Sequence, residues 1–155
     1  MTPTELQIMV QEIVQKSTEL KNKHTDAINA RVNYACIFSQ TEKEYQELLE
    51  TTHKIGKVIQ ETPSGFLFHI NDLETISGTL KLLKIRIPDT TRPERGDADF
   101  TITDFAKFEE KYLSQDGFKR MDKPDFYMLE LMDPTFNVRA YFSNPPLDES
   151  LKDFL

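Results

Sequence analysis

Residues 96–142 read GDADFTITDFAKFEEKYLSQDGFKRMDKPDFYMLELMDPTFNVRAYF. The stretch divides into a strand, a helix and two or three further strands. Over Asp97–Thr103, Ala98, Phe100 and Ile102 point one way, and Asp97, Asp99 and Thr101 point the other. That period of two is the mark of a half-buried strand. Asp104 is a good N-cap, and Phe105, Phe108, Tyr112 and Leu113 make one apolar stripe, so the spacing predicts a helix over Asp104–Leu113. Asp116-Gly117 ends it. Phe118–Met121, Phe126–Met132 and Asn137–Phe142 are strand candidates, separated by the turns Lys123-Pro124-Asp125 and Asp133-Pro134-Thr135 and stopped by Ser143-Asn144-Pro145-Pro146.

A weaker copy of this order lies upstream, from about Val32 to Asp89. Val32–Ser39 is a strand candidate. Thr41-Glu42-Lys43-Glu44 is a capping box that starts a helix with Tyr45, Leu48, Leu49, Thr52 and Ile55 on one face and Gly56 at its C′ position. Lys57–Gln60, Phe66–Ile70 and Leu80–Ile87 follow as strands, with Thr62–Gly65 a turn and Asn71–Gly78 a polar connection. In the last strand Leu83, Ile85 and Ile87 share one face, Lys84 and Arg86 the other. Setting Thr41 against Asp104 brings Tyr34, Cys36 and Phe38 onto Asp97, Asp99 and Thr101. With a gap allowed, His69 meets Glu130. The recurring order points to an internal duplication.

Ahead of both copies, residues 2–30 read as one helix. Thr2 to Glu5 is a capping box with Pro3 at the first helical position. Leu6, Met9, Val10, Ile13, Ser17 and Leu20 form a stripe that must bury against the chain's own domain or a second copy. The expected organisation is therefore α+β: an N-terminal amphipathic helix (1–31), a first βαβββ-like module with a charged, Pro-containing linker (32–95), a second βαβββ module (96–146) and a tail (147–155) in which Leu147, Leu151, Phe154 and Leu155 suggest a short helix. The paired modules would form a curved mixed sheet. A homodimer through the first helix or the sheet edges is the expectation for assembly.

The bulk numbers set bounds. A chain of 155 residues is one domain, or two half-size modules sharing a core. With 38% hydrophobic and 29% charged residues it is globular rather than disordered. No apolar run approaches the roughly 18 residues a membrane span needs, and the helix stripe lacks the aromatics and basic flank of a membrane-surface helix. The start, Met-Thr-Pro-Thr-Glu, has no signal-peptide pattern, and the single cysteine, Cys36, fits a reducing compartment, so the expected location is cytoplasmic. The net charge of −7 argues against nucleic acid as a partner. Arg95-Gly96-Asp97 reads as a strand start, not an adhesion loop. There is no phosphate-binding glycine loop, dinucleotide fingerprint, HExxH, CxxC or nucleophile elbow.

The stretch GDADFTITDFAKF, followed by FYMLELMDPTFNVRAYF, resembles the second module of the vicinal oxygen chelate superfamily, the glyoxalase/bleomycin-resistance/dioxygenase fold. Asp133-Pro134-Thr135-Phe136-Asn137 is similar to that family's Asp-Pro-x-Gly-Asn turn, with Phe136 where glycine is usual. The resemblance spans about residues 32–142. It implies paired βαβββ modules around a cup, often with a divalent metal held by His and Glu. Here the implied His position of the second module falls on Asp97, or Asp99 with a slipped register, and its first-module counterpart on Tyr34. The implied Glu position falls on Ala140 or Arg139, with Lys84 or Arg86 as its counterpart. A cation there opposes a metal, so the expectation is a divergent member that lacks the usual ligands, without cofactor or metal.

On the wall of such a cup, parity places Asp97, Asp99 and Thr101, with Arg139 and Tyr141 on the last strand and Lys84 and Arg86 on its upstream partner. Asp97, Asp99, Arg86, Arg139 and Tyr141 are the candidate ligand-binding residues, suited to a small organic ligand carrying both charges. Ordinary ion pairing across strands is the competing account. His69, the one histidine on a predicted strand, and Glu130, a carboxylate in an apolar strand, are the candidate catalytic groups; surface or packing roles compete. Tyr34 and Tyr127 line a pocket or pack in the core, and Cys36 reads as core. Three functions follow as expectations: a metal-independent small-molecule-binding protein; a metal-dependent lyase, isomerase or dioxygenase using His69 and Glu130; or an interaction module whose working surface is the N-terminal helix.

Overall fold

The computed structural model describes every residue from Met1 to Leu155. Its helices are α1 (Pro3–His24), α2 (Glu42–Thr52), α3 (Phe105–Tyr112) and α4 (Leu147–Ser150), with a final 3-10 turn over Lys152–Phe154. The strands are β1 (Val32–Phe38), β2 (Gly56–Thr62), β3 (Gly65–Thr75), β4 (Gly78–Arg86), β5 (Gly96–Phe100), β6 (Phe118–Asp122), β7 (Tyr127–Leu131) and β8 (Val138–Asn144). They form one eight-stranded mixed sheet in the order β2-β3-β4-β1-β5-β8-β7-β6. Read from the centre outwards, the two halves are the same: opening strand, fourth strand, third strand, second strand. These are the paired βαβββ modules, joined edge to edge by the antiparallel pair β1–β5.

The join is tight because one residue has no side chain. A Cβ at Gly96 would lie 2.2 Å from the Cys36 carbonyl oxygen, so only glycine lets β1 and β5 approach there. Each opening strand also pairs in parallel with the last strand of its own module, Cys36 opposite Lys84 and Asp97 opposite Arg139.

Alternation then divides the sheet. Ala98, Phe100, Leu83, Ile85, Ala140 and Phe142 enter one core with the helices. Asp97, Asp99, Lys84, Arg86, Arg139 and Tyr141 sit at the intervening positions and so face the other way. α1 lies across β8, β5 and β1. Its stripe of Leu6, Val10, Ile13, Val14, Ser17 and Leu20 is buried on this sheet, with Met9 only half-buried. The N-terminal helix therefore packs internally, as the first of its two expected uses had it.

Several boundaries move. α1 stops at His24 instead of continuing to residue 30. Lys21 folds its ammonium onto the Ala27 and Ile28 carbonyls, at 2.5 and 3.2 Å, and the following loop wraps round that group. Gly56 does not cap α2 but opens β2, where a Cβ would strike the His69 carbonyl at 2.5 Å. The polar run Asn71–Thr75, read as a connection, continues β3, and Gly78 starts β4 at once, giving one long hairpin. Ile87 lies beyond the end of β4 and is exposed. The Asp133 turn is held by its own side chain, Oδ1 accepting from the Thr135 amide and hydroxyl, while Oδ2 takes Lys23 and His24 of α1. No helix is long and apolar enough to cross a membrane.

Candidate functional site

The sheet face opposite the helices carries a hollow of about 200 Å³ at the junction of the modules. β1 contributes Tyr34 and Cys36, β4 Lys84 and Arg86, β5 Asp97 and Asp99, and β8 Tyr141. Arg92 reaches in from the linker, and Met121, Phe126, Met128 and Leu147 close the sides. Leu147 belongs to the tail, which Arg31 anchors to Asp148 at 2.8 Å. A larger hollow of about 860 Å³ runs along the outer side of α1 and the 133–138 turn. Its polar groups are mostly α1 side chains turned to solvent, such as Glu12, Lys16 and Glu19. The smaller cup is where buried charge converges.

Charge in the cup is divided. Lys84 is half-buried, its Nζ on the Ser64 hydroxyl, and burial draws its pKa down. The Arg86 guanidinium meets Asp89 only at 3.5 Å, and its Nε is buried without a partner. Arg92 donates to the Tyr141 hydroxyl at 3.0 Å and lies over the Phe38 ring. Against these stand Asp97 and Asp99, 6% and 1% exposed. Burial, then the neighbouring Asp99, pushes Asp97 up to about 7, although Arg92, Lys84 and Arg86 pull the other way. Burial raises Asp99 to about 6, opposed by hydrogen bonds from Ser143 and Asn33. The Ser143 hydroxyl donates to Asp99 Oδ2, and Asn33 Nδ2 donates to Oδ1 at 3.1 Å.

The predicted site residues separate into three groups. Asp97, Asp99, Arg86 and Tyr141 line one hollow. Arg139 sits next to it but is occupied elsewhere: its guanidinium donates to Glu94 at 3.0 Å, to Glu130 at 3.3 Å and to the Thr91 carbonyl at 2.8 Å. It pins the linker that presents Arg92. Glu130 accepts from that guanidinium and from Tyr141 at 2.6 Å, and is 7% exposed. His69 lies on β3 in a separate hollow with His53 and Lys57. Four strands stand between β3 and β7 in the sheet, so His69 and Glu130 do not converge. No group of three or more His, Cys, Asp or Glu side chains is arranged to hold a metal ion.

Four residues of the site escaped the sequence reading. Arg92 lies in the linker, where no period assigns a direction. Asn33 and Ser143, which hold Asp99, gave only weak polar signals. Cys36 is buried as expected, but it faces the cup, and burial pushes its thiol well above the usual range. Its alternation with Ala35 and Ile37 was the available clue.

No family model matches the sequence, and no curated protein matches it. Among solved structures, one described as the structural-genomics protein EC4020 superposes on 90% of this chain and 86% of its own, with a TM-score of 0.69 at 9% identity. A glyoxalase/bleomycin resistance protein/dioxygenase superfamily member from Vibrio splendidus 12B01 covers 74% of this chain and 97% of its own, with a TM-score of 0.45 at 12% identity. At 9% identity the first likeness bears on the fold alone, and the second is too distant to add to it.

Proposed function

We propose that the protein binds a small organic anion in the cup between its two modules, without a metal ion. One observation carries this reading: Lys84, Arg86 and Arg92 meet in a hollow of about 200 Å³ whose two carboxyls are driven toward their neutral forms. Under those conditions the hollow is net positive, in a chain of net charge −7. Arginine suits a planar or tetrahedral oxyanion, offering several donors in a fixed geometry.

The donor set speaks against a divalent cation. The positions that the resemblance assigns to metal ligands carry Tyr34, Asp97 or Asp99, Ala140 or Arg139, and Lys84 or Arg86. A single carboxyl from that set among cations is a poor metal site. The metal-dependent alternative also needed His69 beside Glu130, and the sheet keeps them apart. The interaction-module alternative needed the α1 stripe, which the sheet covers. A homodimer would have to use the outer edges β2 and β6 or the outer side of α1.

Thermal unfolding in a panel of small carboxylates, sulfate and matched amines tests the reading. Binding stabilises the fold in proportion to the logarithm of ligand concentration over Kd. The expected result is stabilisation by at least one anion, absent in Arg86→Met/Arg92→Met, and none by amines. Equal behaviour of that double variant and the parent across the panel would overturn it.

A further inference from the structure

Asp97 is the one carboxyl in the cup with no partner inside the protein. Asp99 is held by Ser143 and Asn33. Glu130, beside the cup, is held by Tyr141 and Arg139. Asp97 makes no hydrogen bond or ion pair within the protein and feels Arg92, Lys84 and Arg86 only through their fields, and it is 6% exposed. Two cations beside it are also under-used: Arg86 Nε is buried and unpaired, and Lys84 Nζ meets only a hydroxyl. Leaving a buried polar group unpaired costs about 1–3 kcal/mol. The unpaired Arg86 Nε, with the Asp97 carboxyl and the Lys84 ammonium lining the same hollow, marks where ligand atoms belong.

The cations call for an anion, and the carboxyl constrains how it is held. An ionised Asp97 repels an oxyanion, whereas a neutral one donates an O–H to it. We propose that the cup takes up a small oxyanion together with one proton, the proton residing on Asp97 and hydrogen-bonding the anion while Lys84, Arg86 and Arg92 hold its charge. The inference rests on the anion-binding reading above and narrows it. The ligand class is a fully ionised small carboxylate or comparable oxyanion. A zwitterion fits less well, because its ammonium end would lie among three cations. The proton comes from solvent to an Asp97 carboxylate oxygen, and no bond of the ligand breaks.

The surrounding groups allow this. On β1, Cys36 and Tyr34 are pushed well up by burial and stay neutral. On β8, Tyr141 is also raised and already donates to Glu130. Arg139 and Glu94 pair with each other beside the cup. Asp99 beside Asp97 has its own donors, and Lys123 stands at the rim. Asp97 itself titrates at about 7 before any anion arrives, so the bound anion needs only to raise it further. Lys84, whose pKa is drawn down, and Asp99, raised to about 6, are the other groups whose titration makes anion binding weaken with pH.

Calorimetric titration of the full chain with sulfate and with oxalate, neither of which changes charge near neutrality, decides the matter. Buffers of differing ionisation enthalpy report the protons taken up. The expected result is uptake approaching one proton per anion above pH ~7, with affinity falling about tenfold per pH unit. Asp97→Asn should bind with a flattened pH profile and lose the proton uptake. Binding without proton uptake overturns this inference and leaves the anion-binding reading standing. A variant that keeps the full pH slope also overturns it and assigns the slope to Lys84 or Asp99. Failure of both anions to bind at any pH removes the anion-binding reading and this inference together. Should the variant not fold, Lys84→Met decides in its place: proton uptake that persists there keeps the proton on Asp97, and its loss overturns the inference.

Discussion

The Tyr141 hydroxyl donates to Glu130 over 2.6 Å and accepts from Arg92 over 3.0 Å. One phenol thus connects a buried carboxylate on β7 to a cation in the linker. Replacing Tyr141 by Phe keeps the ring and removes the connection. Glu130 then retains only Arg139, and Arg92 loses its anchor. The expected cost is about 1–3 kcal/mol in urea unfolding, with weaker anion affinity. An unchanged unfolding midpoint would show that the connection contributes nothing.

Asp97 makes the protein's stability depend on pH in a stated direction. Its folded pKa, about 7, lies above the unfolded carboxyl value of about 3.9. Between those values the folded chain binds more protons, so stability falls as pH rises from ~4 to ~7 and levels off above. Asp97→Asn should remove that part of the decline, leaving the one that Asp99 contributes below about 6, and be the more stable protein at pH 8, by something on the order of 2 kcal/mol. Urea midpoints at a series of pH values check this, and a variant less stable than the parent at pH 8 would contradict it.

Lys21 acts in the other direction. Burial brings it down to about 8, beneath the unfolded lysine value of about 10.4. Below the first value both states hold the proton; between the two, the unfolded chain binds more. Stability relative to Lys21→Met should therefore climb with pH over that window. The comparison needs only unfolding curves of the two proteins, and a flat or falling difference would count against it.

Gly96 cannot carry a side chain. Alanine there would set its Cβ 2.2 Å from the Cys36 carbonyl and force β1 off β5. Since that pair joins the two halves, Gly96→Ala should cost at least about 3 kcal/mol or prevent folding. A soluble variant with the parent's thermal midpoint would refute the packing argument.

Ile13→Glu separates a covered helix from an exposed one. Ile13 is 3% exposed and packs in the shared core, so a buried charge should destabilise by several kcal/mol, by roughly the 3–5 kcal/mol typical of uncompensated buried charge. A fully folded variant that differs only in oligomeric mass, by sedimentation, would place the stripe at an interface.

The fold was legible wherever alternation and capping agreed. Asp97 to Phe100 showed both faces of a central strand, and Asp104 and Thr41 accept from the amides three residues on as their types suggested. Arg139 marks the limit of parity. Its position on the strand gave the correct face, yet Glu94, Glu130 and the Thr91 carbonyl compete for its guanidinium, and two of those lie in the linker. Arg92 was hidden because an irregular segment has no period to read. Matching His69 to Glu130 followed from aligning the copies; β3 and β7 lie out on opposite arms with four strands between them, whereas only the strands near the join, β1 and β5, bring the two copies together. The α1 terminus lies earlier than the pattern suggested because no glycine or proline marks a stop between His24 and Arg31, while Lys21 turns the chain by binding the carbonyls of Ala27 and Ile28.

The helix behind the join has a consequence for any ligand in front of it. α1 lies across strands of both modules, and the Ser17 hydroxyl donates to the Arg139 carbonyl at 3.0 Å, directly behind the cup floor. α1 thereby braces both modules from the rear. Substitutions along α1 that leave every cup residue intact are expected to change the angle between the arms and, with it, the width of the cup.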